Sequence, residues 1–291
     1  MSLTEATIET PNASIRITDS GGSGLPVLLL HGSGSSRRVF DRQMMSPLAG
    51  HYRMIAPDLP GHGESSDARD VSRLSYTLPG LARSVGALID ALGLGKVAVV
   101  GWSLGGHLAL ELMDFHPAVA GVMVMGAPPI GRGPIALFRA FRTNLDTTLA
   151  SKPKFSDAEI MRFARLCFGY DIEPTSLDSI RRADGQLRKV MFGSMMSGAC
   201  VDEKALVETS DTPVAIVNGS DDPFIRLRYI AGLRYRNLWE GMCHVIPDAG
   251  HDAFRSHADS FNPLLGRFAD AIAARVAQPR QAVTAPMRLT A

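Results

Sequence analysis

Short runs of apolar residues recur along the chain and alternate with longer amphipathic stretches. Runs near 6–10, 14–18, 26–30, 52–57, 96–101, 120–125, 213–218 and 241–246 read as strands, and Val27-Leu-Leu-Leu30 and Val97-Ala-Val-Val100 are apolar at every position. A strand with no polar face is buried on both sides, as in a parallel sheet. The residues between these runs show helical spacing near 37–48, 74–92, 104–116, 226–236 and 254–276. Alternating strands and helices predict an α/β fold, a mostly parallel central sheet of about eight strands flanked by helices.

This rhythm stops between Pro128 and Thr212, where roughly eighty residues read as several short helices rich in Phe, Met and Arg. The chain therefore divides into a core domain of residues 1–127 and 213–277, a helical cap of 128–212, and a tail of 278–291. The tail is rich in Ala, Pro, Gln and Arg and is expected to be disordered. Inserted after the 120–125 strand, the cap would sit above the C-terminal strand ends, where such sheets bind ligands. Its Phe138, Phe141, Phe155, Phe163, Met191 and Met195 read first as cap core; flexible and aromatic side chains in such surplus would also suit an acyl-chain tunnel.

The densest chemistry lies in Gly101-Trp-Ser103-Leu-Gly105-Gly106-His107, directly after the 96–101 strand and opening the next helix. A strand that enters a helix through one residue strains that residue's backbone and needs very small neighbours two positions away. Gly101 and Gly105 meet this demand. The Ser103 side chain is then raised above the sheet at a helix N-terminus, where free N–H groups favour developing negative charge. A serine nucleophile needs a base and an acid to orient that base. Val214-Ala-Ile-Val-Asn-Gly219 breaks into a loop carrying Asp221 and Asp222, and His244-Val-Ile246 leads to a loop carrying His251. The order serine, acid, histidine is the one found when a triad occupies successive strand ends of a parallel sheet.

Composition narrows the function. The 291 residues carry a net charge of +1 and no dense Lys/Arg block, which gives no electrostatic case for nucleic acid or an anionic membrane. No apolar run approaches the ~20 residues of a membrane span, and the first residues lack a secretory pattern, so a cytoplasmic location is expected. Cys167, Cys200 and Cys243 are odd in number and widely spaced, as expected of free thiols. There is no dense His-x-His-x-Asp-His cluster of the kind a metal site needs, so no metal or other cofactor is expected.

Four motifs together resemble the α/β-hydrolases over residues 5–277: His31-Gly-Ser-Gly-Ser-Ser36, Asp58-Leu-Pro-Gly-His-Gly-Glu-Ser65, the Ser103 turn, and the pair Gly219-x-x-Asp222-Pro and Gly250-His251. The resemblance implies that Asp222, three residues after the strand-ending glycine, is the acid rather than Asp221. It further implies an oxyanion hole made by the backbone N–H groups of Ser33 and Leu104, and a structural role for His31 and His62. His107 reads as a packed helix residue, and His51, His116, His244 and His257 show no partner pattern.

Longer segments are similar to the AidH-type N-acyl homoserine lactonases of this fold. They are Gly101–His107, Val217–Phe224, Asn237-Leu-Trp-Glu-Gly241, Ala249-Gly-His251 and, in the cap, Arg182–Phe192. Two positions depart from that pattern: Ser33 stands where Asn is expected, and Phe163 where Tyr would offer a hydroxyl. The resemblance implies a metal-independent serine hydrolase that opens the lactone ring of N-acyl homoserine lactones through Ser103, His251 and Asp222. Trp102 and Phe163 would touch a small-molecule substrate with an acyl chain, and the protein would be a monomer or homodimer. A general carboxylesterase, a carbon–carbon bond hydrolase, or a ligand receptor that retains the triad are the alternatives; Ser103 argues against reactions that need an Asp nucleophile.

Overall fold

The structure is a computed structural model and describes residues 3–70, 74–142, 149 and 152–278. The tail expected to be disordered lies outside the described residues beyond Gln278. Eight strands, β1 (Thr4–Glu9), β2 (Ser14–Asp19), β3 (Pro26–Leu30), β4 (Arg53–Pro57), β5 (Val97–Trp102), β6 (Val119–Met125), β7 (Val214–Gly219) and β8 (His244–Ile246), form one sheet in the order β1-β2-β4-β3-β5-β6-β7-β8. The first two pair antiparallel and β2 runs antiparallel to β4, while every pairing from β4 to β8 is parallel. Burial follows position: all six residues of β5 and of β7 are buried, whereas β2 buries alternate residues, Ile15 and Ile17 among them.

The helices are α1 (Asp41–Met44), α2 (Leu48–His51), α3 (Leu78–Ala91), α4 (Leu104–Phe115), α5 (Pro134–Ala140), α6 (Asp157–Phe168), α7 (Pro174–Arg182), α8 (Gly185–Ser197), α9 (Glu203–Thr209), α10 (Leu227–Ala231), α11 (Ala253–Ser256) and α12 (Ala258–Ala277). Several predicted helices are shorter or broken. The 37–48 stretch is a 3-10 turn at Arg37–Phe40 followed by α1, and the chain restarts as α2 after Pro47, which disfavours helical backbone at Ser46. The 74–92 stretch becomes a true helix only after Thr77, whose side chain accepts from Gly80 N at 3.1 Å. The 226–236 helix stops at Ala231 before Gly232, and the 241–246 strand is reduced to His244–Ile246.

Helices α5 to α9 lie between β6 and β7 and meet the loops leaving β3, β4 and β5. Asp184 N donates to Gly61 O at 2.9 Å, Arg182 Nη2 to Ser65 O at 2.9 Å, and Ser179 Oγ to Ser36 Oγ at 3.1 Å. Phe168 of α6 stands 5.7 Å from the Trp102 ring. These helices therefore cover the C-terminal ends of the central strands. Among the described residues no helix is long and apolar enough to cross a membrane.

Candidate active site

Ser103 has φ 54° and ψ −117°, one of three non-glycine residues with positive φ among those described. Its N–H donates to Met125 O at 2.8 Å, which pins the turn to β6. A Cβ on Gly105 would collide with the Leu30 carbonyl, and one on Gly101 with the Gly105 carbonyl, so the close approach of α4 to β3 and β5 requires both glycines. The Ser103 hydroxyl does not cap α4 and its residue remains partly exposed. Among the described residues it makes no hydrogen bond to His251.

Asp222 and His251 stand together as the sequence predicts. Asp222 Oδ2 accepts from His251 Nδ1 at 2.7 Å, and Oδ1 accepts from Phe224 N at 2.8 Å and Ile225 N at 3.3 Å. Both side chains are buried, whereas Asp221 is exposed and its carboxylate, among the described residues, accepts from the neighbouring Ser220 hydroxyl alone. Holding the proton on Nδ1 leaves Nε2 as the basic nitrogen. Gly126, next to the residue that anchors Ser103 N, lies beneath this imidazole: a Cβ there would stand 2.5 Å from His251 Cε1. Asn218 Oδ1 fixes Gly126 by accepting from its N–H at 2.9 Å, a support that the sequence did not reveal. Ser103 follows β5 and His251 follows β8, and the end of β6 between them meets both, Met125 through the Ser103 N–H and Gly126 beneath the imidazole.

The Gly32–Ser35 turn is closed by Ser35 N donating to Gly32 O at 3.2 Å, with Gly34 at φ +75°. It presses against Ser103, since a Cβ on Gly32 would be 3.1 Å from Ser103 Cβ. Among the described residues neither Ser33 N nor Leu104 N has a backbone partner; Leu104 directly follows Ser103, and Ser33 directly follows Gly32. His31 and His62 hold this turn. Leu59 N donates to His31 Nε2 at 2.9 Å, Gly34 N donates to His62 Nε2 at 3.1 Å, and burial pushes both imidazoles below the usual histidine range. Below them, buried Asp58 accepts from Arg37 N at 2.7 Å and Glu64 N at 2.8 Å.

Trp102 packs against the Gly32 turn beside Ser103, since a Cβ on Gly32 would stand 2.9 Å from its Cε3. Its side chain is buried, its Nε1–H donates to His251 O at 2.8 Å, and its ring packs between Phe168, His251 and Phe254. It thereby braces the backbone of His251. Phe163 is also buried, but its Cε1 approaches within 3.4 Å of a Cβ built on Gly34, so it abuts the oxyanion turn. His107 is packed in α4 and has a partner that lay outside sequence reach, the buried Glu203, at 2.8 Å. His116 and His244 likewise meet carboxylates, Asp90 at 3.4 Å and Glu240 at 3.2 Å. The three cysteines are free, and burial raises each thiol, Cys200 to about 11. An open groove of about 640 Å³ between Ala231 and Cys243 contains none of the triad residues.

A profile described as the Alpha/beta hydrolase family matches residues 27–264. The chain belongs to the alpha/beta hydrolase family. The crystal structure of the N-acyl homoserine lactonase AidH with N-hexanoyl homoserine superposes with a TM-score of 0.90 at 36% identity, covering 93% of this chain and 98% of that one. AidH with N-butanoyl homoserine gives a TM-score of 0.89 at 36% identity over 92% of this chain and 97% of that one. In sequence, the chain is 26% identical to a 2-hydroxy-6-oxononadienedioate/2-hydroxy-6-oxononatrienedioate hydrolase of a Pseudomonas species, over 88% of this chain and 92% of that protein. A 2-hydroxy-6-oxo-6-phenylhexa-2,4-dienoate hydrolase of Burkholderia cepacia is 27% identical over 87% of this chain and 90% of that protein. The protein is therefore a hydrolase of this family, and its AidH-like character extends over the inserted helices.

Proposed function

We propose that this hydrolase opens the lactone ring of N-acyl homoserine lactones by a Ser103–His251–Asp222 mechanism without a metal. The likeness to AidH over nearly the whole chain, inserted helices included, carries the choice of substrate. Asp222 holds the proton of His251 on Nδ1, so Nε2 removes the Ser103 proton as Oγ attacks the lactone carbonyl. The Ser103–His251 hydrogen bond forms when substrate is engaged. Ser33 N–H and Leu104 N–H receive the developing oxyanion. Ring opening leaves the acyl-homoserine on Ser103 Oγ as an ester, with the freed alkoxide protonated by His251. Water, deprotonated by the same imidazole, then releases N-acyl homoserine.

The test is incubation of EDTA-treated protein with N-hexanoyl homoserine lactone and mass spectrometry of the product. Gain of one water without fragmentation supports the reading; hexanoate with free homoserine lactone would make the enzyme an acylase. The dienoate hydrolases among the sequence relatives favour a second reading, carbon–carbon bond hydrolysis by the same triad. Turnover of a 2-hydroxy-6-oxo dienoate with lactones left intact would select it.

A further inference from the structure

Arg188 of α8 is a buried cation with no ion-pair partner among the described residues. Its side chain is 3% exposed, yet among the described residues it has no carboxylate partner, and only its Nε–H is used, donating to Lys152 O at 3.0 Å. The guanidinium lies over the Phe155 ring at 4.2 Å from the centroid, and Phe155 packs on Phe163 with ring centroids 5.3 Å apart. Nη1 is buried with no hydrogen-bond partner. Burial pushes the guanidinium below the usual arginine range, opposed only by the more distant charge of Asp184.

The unused donor points to the oxyanion turn. A Cβ on Gly34 would stand 3.8 Å from Arg188 Nη1 and 3.4 Å from Phe163 Cε1. Ser33 Oγ, one residue earlier in that turn, is also buried without a partner. Leaving buried donors unmatched is costly, and the cost is highest for a charged group. An acceptor oxygen arriving with a ligand would remove it, whereas a plain alkyl chain would not.

We propose that Arg188 is a specificity-determining residue that donates Nη1–H to a ketone oxygen on the acyl chain, beyond the amide carbonyl that all N-acyl homoserine lactones share, so that oxo-substituted acyl chains are preferred over unsubstituted ones. The inference rests on the lactonase reading for its natural substrate and on Arg188 alone for its selectivity. Phe155 and Phe163 hold the fork in place, and the planar guanidinium keeps one N–H directed at the turn.

The experiment compares kcat/KM for N-(3-oxohexanoyl) and N-hexanoyl homoserine lactone, and for p-nitrophenyl 6-oxononanoate and p-nitrophenyl nonanoate, whose ketone lies as many bonds from the reacting carbonyl, in wild type, Arg188→Met and Arg188→Gln. Differences in intrinsic reactivity cancel when the oxo-to-plain ratio is compared between variants, and so do differences in the amount of folded enzyme. The lactone ratio is expected to fall about tenfold in both variants, the size of one hydrogen bond to a charged donor. If lactones are inert but the ester ratio still falls, the lactonase reading fails and the role of Arg188 stands. Ratios unchanged in both pairs overturn the role of Arg188 whether or not lactones are opened. Inertness toward all four compounds overturns both.

Discussion

His107 and Glu203 share a buried hydrogen bond, Nδ1 to Oε1 at 2.8 Å, that ties the helix behind the nucleophile to the return from the inserted helices. Glu203 also accepts from Ile130 N at 3.0 Å, at the outgoing end of the same insertion. One turn further along α4, Glu111 accepts from Val201 N at 2.9 Å. The two crossings of the insertion are thus held by polar groups on a helix whose N-terminus carries the catalytic turn.

Replacing Glu203 by Ala leaves Ile130 N and His107 without their acceptor. The expected loss is about 3 kcal/mol of folding stability, read from urea denaturation. Glu203→Gln keeps an acceptor for Ile130 N and is expected to lose distinctly less. Equal losses would mean that packing, not hydrogen bonding, holds the junction.

Glu111 gives the junction a pH dependence. Burial pushes its carboxyl up to about 7, with repulsion from Glu203 and Asp114 adding to the shift and the Val201 N–H opposing it. An acid whose folded pKa lies above its unfolded value binds more protons when folded, so its contribution to stability falls as pH rises from the ordinary glutamate range to about 7 and is flat beyond. Glu111→Gln is therefore expected to gain in Tm relative to wild type between pH 5 and pH 8. A Tm difference constant over that range would remove Glu111 from the account.

For the triad, Asp222→Asn is expected to lower kcat on the order of 10⁴-fold by disturbing the His251 tautomer. Ser103→Ala is expected to abolish acyl-enzyme formation altogether. Asp221→Asn should stay within about twofold of wild type, since that carboxylate faces solvent. A large loss at Asp221 with a small one at Asp222 would reverse the assignment of the acid.

Gly126→Ala tests the placement of His251 without touching a titrating group. The new methyl would meet His251 Cε1 at 2.5 Å, and φ of +61° is itself poor for alanine. We expect kcat to fall by more than 10²-fold, the scale of a 1 Å misplacement, with the Asp222 and Ser103 side chains intact. Near wild-type kcat would show that the imidazole has freedom to move aside.

The legibility of this fold in its sequence follows the range of the forces involved. The runs of β3 and β5, and of β7 up to Val217, are apolar because both faces are covered, and their strands fall within a residue or two of expectation. Glycine and acid spacing marks the elbow and the His251–Asp222 pair because strand-end turns are local. Helix breaks at Ser46-Pro47 and Thr77 were readable in principle, from a proline and a capping threonine. What stayed hidden depends on distant approach: the partners His107 and Glu203 are 96 residues apart, and Gly126 and Asn218 are 92 apart. A signal existed for the first pair, since His107 and Glu111 are one turn apart on an otherwise largely apolar helix. The bond from Trp102 to the His251 carbonyl spans 149 residues and was equally out of reach.

The left-handed backbone at Ser103, with φ 54°, carries a cost on the order of 1–3 kcal/mol that a glycine would escape. The most stable version of this protein is thus one without its catalyst. Drift toward thermal robustness alone would erode the elbow first, so any stabilised descendant obtained without an activity screen should be sequenced at position 103 before it is trusted as an enzyme.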